Sequence, residues 1–432
     1  MSHPGNDSQF LTFSVQDIGG DSALVWAVDK NHGRVVNMLL EHPSLQPSQK
    51  NVRVVTCHLT QSGINNLADV CVAVIKALED LRPKVGLWLL QQRIKSIEEE
   101  GNHTELIEKI LILAVRKGAV DIVDFLVKHS SVNVNILDES EPLIIIAANR
   151  RQQPSSRGYL DIVRSLLSKS CDVNMKGSEG NTALARACDQ GNQAMVELLL
   201  SHLEVDVNTV GEDELTPLLC AARGGNKAIV ELLLARKEIQ VNHRGSKDQP
   251  DIRGKSALIW AGEMGHSDIV QLLVRHPEVE INMKDEDGYT GLIWAADNGF
   301  LDAVTEFLKH PKIDVNAVDL DGHSALTWAA DRGHTAIVSL LLDQKDLDVN
   351  VRDFEGYSPL ICASNQGHRS VVKLMLADER TDVNLQVCGD ADYLCIIIFL
   401  LRTMTITTPS SQLSSSARRT GTRARKKISR RL

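Results

Sequence analysis

One phrase of eleven residues constrains this chain more than any other feature. Ser-Ala-Leu-Ile-Trp-Ala-Gly-Glu-Met-Gly-His at Ser256–His266 returns, varied, at Thr290–Gly299, Ser324–His334 and Ser358–His368. Its leucine falls at Leu184, Leu218, Leu258, Leu292, Leu326 and Leu360, with spacings of 34, 40, 34, 34 and 34 residues. Weaker copies lie at Leu24, Leu111 and Ile144. Val-Asn or Ile-Asn follows each strong leucine 23 residues on, as at Val207-Asn208, Ile281-Asn282 and Val349-Asn350. A unit of this size cannot bury its own apolar stripe, so the copies must stack and share one continuous core.

Within a copy, local signals set the elements. Thr182, Thr216, Ser256, Thr290, Ser324 and Ser358 precede an apolar run, as helix N-cap residues do. Pro217 and Pro359 occupy the first helical position, where a missing N–H does no harm. The first helix ends near Gly191, Gly225, Gly265, Gly299, Gly333 or Gly367. A second helix carries the Ile-Val-x-Leu-Leu-Leu pattern, as at Ile229–Leu234 and Ile337–Leu342, and an extended segment and turn lead into the next copy. Trp26, Trp260, Trp294 and Trp328 share one repeat position, which reads as packing between copies.

Thr216-Pro217-Leu218 and Ser358-Pro359-Leu360, followed by Gly-His, Leu-Leu-Leu and Asp-Val-Asn, resemble the ankyrin repeat with its Thr-Pro-Leu-His-x-Ala signature. The resemblance covers about residues 14–46 and 105–384. The family's motif histidine is replaced by Ile259, Ile293, Thr327 or Ile361, and a His-Pro-type connection lengthens the unit to 34 residues. The resemblance implies an all-α ankyrin-repeat solenoid of helix–turn–helix–β-turn units, about nine to ten repeats with a helical insert. It also implies that Asn208, Asn316 and Asn350 match positions hydroxylated in some family members.

The expected organisation is a flexible N-terminus (1–13), a first repeat (14–46), a segment at 47–104, eight tandem repeats (105–384) and an irregular tail (385–432). In 47–104, Ile64, Leu67, Ala68, Cys71, Val74, Ile75 and Leu78 mark an amphipathic helix, either of a degenerate repeat or of an insert. Arg150–Arg157 reads as a surface loop, and His243–Pro250 lengthens one hairpin by six residues. The tail holds an apolar run (Leu394–Leu401), a Ser/Thr-rich stretch and a basic end. After Leu401 there are nine basic and no acidic residues, leaving residues 1–401 with 38 basic against 56 acidic, a net −18. Arg418, Arg419, Arg423, Arg425, Lys426 and Lys427 form either a nuclear-targeting or acidic-surface-binding element, or an alternative or erroneous end without a role.

Catalytic chemistry is not expected. No Gly-x-x-x-x-Gly-Lys-Ser/Thr, His-Glu-x-x-His or Gly-x-Ser-x-Gly occurs. Most of the 14 histidines form columns one repeat apart. That is about 10 Å by helix packing, too far to converge on one zinc at ~2.0–2.1 Å, so no metal or other cofactor is expected. Eight cysteines without a Cys-x-x-Cys pair, no signal peptide and no membrane-length apolar run suit a soluble protein of the cytoplasm, the nucleus or both.

The expected function is a non-enzymatic interaction module or scaffold. By resemblance, its partner site is the concave face, made by hairpin tips and first-helix ends. Those positions are Tyr289, His323 and Tyr357 at the tips, and Asp189, Gln190, Glu263, Met264, Asp297, Asn298, Asp331, Arg332, Asn365 and Gln366 at the helix ends. Their carboxylates suit a basic protein partner. No small-molecule substrate or nucleic acid is expected, and the chain is taken as a monomer. The alternative is a regulatory fragment or isoform of a larger ankyrin-containing protein, with the basic tail as its targeting element.

Overall fold

The computed structural model describes residues 104–385 except 130–131, 150–155, 212, 248 and 250, together with helical residues at 74, 75, 78, 87, 90 and 91. Of the expected amphipathic helix, Val74 and Leu78 are buried and Ile75 is half-buried; its other residues, the first repeat, Arg150–Ser155 and the basic tail lie outside the described residues.

Two compact units divide at Glu212/Asp213. In the first, three helix pairs follow in order: α1 (Thr104–Lys117) with α2 (Val120–His129), α3 (Leu143–Ala148) with α4 (Ser156–Leu167), and α5 (Ala183–Asp189) with α6 (Gln193–Leu200). A two-residue antiparallel hairpin, β1 (Leu137–Asp138) and β2 (Glu141–Pro142), leads into α3. Because α4 starts at Ser156, the last two residues of the segment read as loop are helical. The first helices α1, α3 and α5 pack in one row, and α2, α4 and α6 in another.

The second unit repeats this five times. Its pairs are α7 (Pro217–Arg223) and α8 (Lys227–Leu234), α9 (Ala257–Glu263) and α10 (Ser267–Val274), α11 (Gly291–Asp297) and α12 (Leu301–Leu308), α13 (Ala325–Arg332) and α14 (Thr335–Leu342), and α15 (Pro359–Gln366) and α16 (Arg369–Ala377). Each first helix packs on the next first helix, and each second on the next second.

The expected caps form. Thr182, Thr216, Ser256, Thr290, Ser324 and Ser358 each accept the backbone N–H three residues on, satisfying a donor the helix leaves orphaned. The core runs along the second helices, where Leu199, Leu233, Leu273, Phe307, Leu341 and Met375 are fully buried. Phe307 is larger than its counterparts, and Gly291 makes room for it. A methyl on Gly291 would come within 2.5 Å of the Phe307 ring, whereas neighbouring repeats place alanine (Ala257, Ala325) at that position.

A second row of polar links joins repeats on the far side of the second helices. The Asn316 amide donates to Asp346 O (2.7 Å) and accepts from Asp348 N (2.7 Å). Asn174, Asn242, Asn282 and Asn350 do the same one repeat apart. Both halves of each amide are used, so the asparagine at this place is a clamp on the following repeat. Imidazoles make a third link: Nε2 of His334 lies 3.0 Å from Asp297 O, and that of His368 lies 2.8 Å from Asp331 O.

These links predict unequal costs at two like glycines. Gly333 and Gly367 both have φ +79°, but only at Gly333 would a methyl meet a ring, that of His368 at 2.6 Å. Gly367→Ala is expected to cost roughly 1–2 kcal/mol of backbone strain. Gly333→Ala should cost roughly 1–3 kcal/mol more from overpacking. Urea unfolding midpoints of the two variants measure the difference, and equal midpoints would show that the ring yields freely. Leu341→Ala, in the core row, is expected to cost ~2–5 kcal/mol in the same assay.

Candidate functional site

In the last four helix pairs of the second unit the residue before the N-cap and the fourth residue of the first helix meet in a single column. The first set is Lys255, Tyr289, His323 and Tyr357; the second is Trp260, Trp294, Trp328 and Cys362. Lys255 Nζ lies 4.8 Å from the Trp260 ring and 4.4 Å from that of Trp294. Tyr289 sits 4.5 Å from Trp294 and 5.8 Å from Trp328, and His323 sits 4.8 Å from Trp328. Lys255 and Tyr289 are thus each wedged between the indoles of two consecutive repeats. The tryptophan column packs between copies, as its recurrence at one position suggested.

Aspartates organise the outer edge of this column. Asp285 Oδ1 accepts from Asp287 N (3.1 Å) and Tyr289 N (2.8 Å), closing its own hairpin turn. Its Oδ2 accepts from the indole N–H of Trp294 at 2.7 Å. Asp319 repeats the arrangement with His323 N (2.8 Å) and Trp328 Nε1 (2.8 Å). Asp353 closes its turn through Tyr357 N (2.7 Å), but nine residues on stands Cys362, not a tryptophan. Burial first, then Asp331 and Asp353, push the Cys362 thiol up to about 12, so it stays a protonated, weak donor. Trp260 lacks the reverse partner: in the lengthened hairpin Asp251 is exposed, and the Trp260 N–H finds no acceptor among the described residues.

Lys255 is the one column member that brings a charge into the stack between two indoles. Its side chain is 5% exposed, and Nζ bonds Glu263 Oε2 at 2.6 Å. The pair works only because the indole faces and the carboxylate together replace water around the ammonium.

The helix-end positions also link repeats. Arg332 Nε donates to Asp297 (2.7 Å), Gln366 Nε2 to Asp331 (2.9 Å) and Asn298 Nδ2 to Glu263 O (3.2 Å). In the first unit Gln190 donates to Asn149, and Asp189 is exposed. Asn365 is exposed, as is Met264. Tyr289, His323 and Tyr357, the expected tips, are half-buried in the column.

The side chains that protrude are others. Leu320 is 64% and Phe354 80% exposed, each directly after its hairpin aspartate. Their hairpins are neighbours: Leu320 N donates to Asp287 O and Phe354 N to Asp321 O, both at 3.0 Å. Glu286 is paired with Arg244 and Lys247, and Asp287 with Arg253. Asp321 and Glu355 are exposed and have no ion pair among the described residues. Sequence reasoning passed over Leu320 and Phe354, although an apolar residue at a turn position that no periodicity requires to be buried is a legible signal.

No group of histidine, cysteine or carboxylate side chains among the described residues is arranged to hold a metal ion. No helix among them is long and apolar enough to cross a membrane.

A family model described as "Ankyrin repeats (3 copies)" matches residues 153–245, 242–319 and 292–387, and one described as "Ankyrin repeat" matches 110–139. These matches span more than half the chain, which therefore belongs to the ankyrin repeat family. A crystal structure of EF0377, an ankyrin repeat protein, is similar over 45% of this chain and 96% of that one, at 24% identity and a TM-score of 0.42. Ankyrin repeats serve in general as protein–protein interaction modules and are typically non-enzymatic.

The buried pair gives a stability prediction. Lys255→Met strands Glu263, whose side chain is 16% exposed, and is expected to cost about 3–5 kcal/mol. Adding Glu263→Met should recover most of that loss, since a thioether packs well between indoles. Unfolding midpoints of the single and double variants test this; a double variant no better than the single would show that the ion pair itself is stabilising.

Proposed function

We propose that this chain is a non-enzymatic scaffold that binds a basic protein segment along the hairpin tips and first-helix ends of its second unit. The observation that carries this reading is the exposure of Leu320 and Phe354 on adjacent hairpins beside the unpaired carboxylates of Asp321 and Glu355. Large apolar side chains set out in water next to charges of one sign suit a partner with an apolar anchor flanked by Lys or Arg. Met264 and Asn365, free at helix ends, extend the surface inward.

The wider reading is a monomer of nine to ten repeats, counting copies at 14–46 and 47–104, resident in the cytoplasm, the nucleus or both. Among the described residues four buried free cysteines, Cys171, Cys188, Cys220 and Cys362, support a reducing compartment. The second reading is a regulatory part of a larger protein with a targeting tail. It is favoured by the charge asymmetry, nine basic and no acidic residues after Leu401.

Selection of a displayed random-peptide library on the full chain tests the site. Enriched peptides are expected to place a large apolar residue beside Lys or Arg and to bind more weakly as salt rises. Leu320→Ser with Phe354→Ser should weaken them about tenfold or more. If the double variant binds equally while Asp297→Ala with Asp331→Arg does not, the helix ends and not the tips are the site. Enrichment of peptides without basic residues would overturn the charge argument.

A further inference from the structure

His323 is placed unlike any other member of its column. Its two ring nitrogens face two carboxylates from consecutive hairpins: Nδ1 is 3.5 Å from Asp319 Oδ1, and Nε2 is 3.2 Å from Asp353 Oδ2. In the two preceding repeats the equivalent aspartate oxygen is satisfied by an indole N–H from its own repeat. Asp353 has Cys362 there instead, and its side chain is only 5% exposed. A buried carboxylate oxygen without a donor is costly, so the imidazole from the repeat before supplies what the missing tryptophan does not.

A neutral imidazole cannot serve both sides. It carries one N–H, so whichever nitrogen holds it, the other turns a lone pair toward a carboxylate. Nδ1 is buried and makes no hydrogen bond among the described residues; at 3.5 Å from Asp319 Oδ1 it faces that carboxylate as charge to charge. With a carboxylate facing each nitrogen, the pocket favours the imidazolium, which turns a positive N–H toward both.

We propose that His323 is a proton-operated clamp between adjacent repeats: as an imidazolium it ties the Asp319 and Asp353 hairpins together, and its deprotonation loosens the Asp353–Tyr357 hairpin. The hairpins it ties are those that carry Leu320 and Phe354, so the clamp sets how firmly the two protruding side chains are held relative to each other. Its effect on binding rests on the fingertip reading above; the clamp itself does not.

The surrounding charges agree. Asp319 and Asp321 from its own hairpin and Asp353 from the next face the ring, while Arg332 on α13 lies over the Trp328 indole and is committed to Asp297. Tyr289, on the same indole, is held protonated by burial and by the neighbouring acids. Burial alone would lower the His323 pKa, but the carboxylates outweigh it and raise it above the ordinary 6.5. A folded value raised in this way contributes stability that is complete below 6.5 and is lost as pH rises through the folded value. For Asp319 burial would raise the pKa, yet bonds from His323 and Trp328 bring it below 3.8, so its contribution is lost as pH falls through that lower value. Between 3.8 and 6.5 His323 and Asp319 therefore both carry charge.

The test is a pH titration of the full chain by NMR with histidine ring carbons labelled, the His323 signal being identified by its loss in His323→Gln. Its midpoint is expected above 6.5, and Asp353→Asn, which keeps the Oδ1 acceptor for Tyr357 N, should lower it. Amide exchange at residues 354–357, corrected for intrinsic rates, should lose protection as pH rises through that midpoint in the wild type. In His323→Gln protection should stay low at every pH. A midpoint at or below the ordinary imidazole value, or one unmoved by Asp353→Asn, overturns the clamp. If His323 titrates as expected while the affinity of a selected peptide does not change with pH, the clamp stands and the fingertip reading falls.

Discussion

Helices of seven or eight residues have no stability of their own in water, because nucleation costs more than two turns of hydrogen bonds return. Most of the described helices are of that length, and none of the later pairs could persist alone. What holds them is the face each pair shares with the next. That single dependence explains why links between repeats are multiplied at three depths. Leucine rows fill the core, asparagine amides clamp the connecting segments, and histidine rings reach back to carbonyls at the end of the preceding repeat's first helix. Within each unit, stability is then a sum of neighbour terms, and a change at one interface is felt mainly by the two repeats that form it.

The same dependence places polar groups where they are expensive. The hairpin aspartates are needed to close their turns, and closing the turn draws them under the aromatic column. Burial raises the Asp285 pKa despite bonds from Trp294 and the Tyr289 amide, so its ionised form is held at a cost near neutrality. Asp319 sits in an equivalent turn yet moves the other way, because its column neighbour is His323 where Asp285 has neutral Tyr289. One change of side chain, tyrosine to histidine at the same repeat position, converts a strained carboxylate into a stabilised one.

Much of this was legible in the sequence because the interactions that build a repeat are local. Caps at Thr216 or Ser358, terminating glycines and the Leu-Leu-Leu stripe act within a single copy, so each repetition prints the same residue at the same place. The site was less legible for the opposite reason. Whether Tyr289 protrudes depends on what the next copy sets against it, and Trp328, 39 residues on, covers it. Leu320 and Phe354 are exposed because their hairpins lie edge to edge with the side chains directed away, an arrangement between copies that no single copy encodes. The acids were visible as charges, but which of them remain unpaired, Asp321 and Glu355 as against Glu286 and Asp287, follows from the lengthened hairpin that brings Arg244, Lys247 and Arg253 beside the latter pair.

Departures from the repeat are therefore more informative than the repeat. Where a position departs, a neighbour one copy away has to compensate, and the chain shows the compensation each time. Gly291 yields volume to Phe307; Lys255 takes the place of an aromatic ring and brings Glu263 with it; His323 answers the loss of a tryptophan at Cys362. The first is neutral in charge and can only tune packing. The second buries a fixed ion pair whose partners are satisfied within the chain. The third couples two repeats through an imidazole whose pKa the flanking carboxylates raise, and it joins the hairpins that carry the two most exposed apolar side chains of the second unit. A solenoid that merely stacked would have had no use for that exchange at Cys362, since an indole N–H there would have given Asp353 a donor that does not itself titrate.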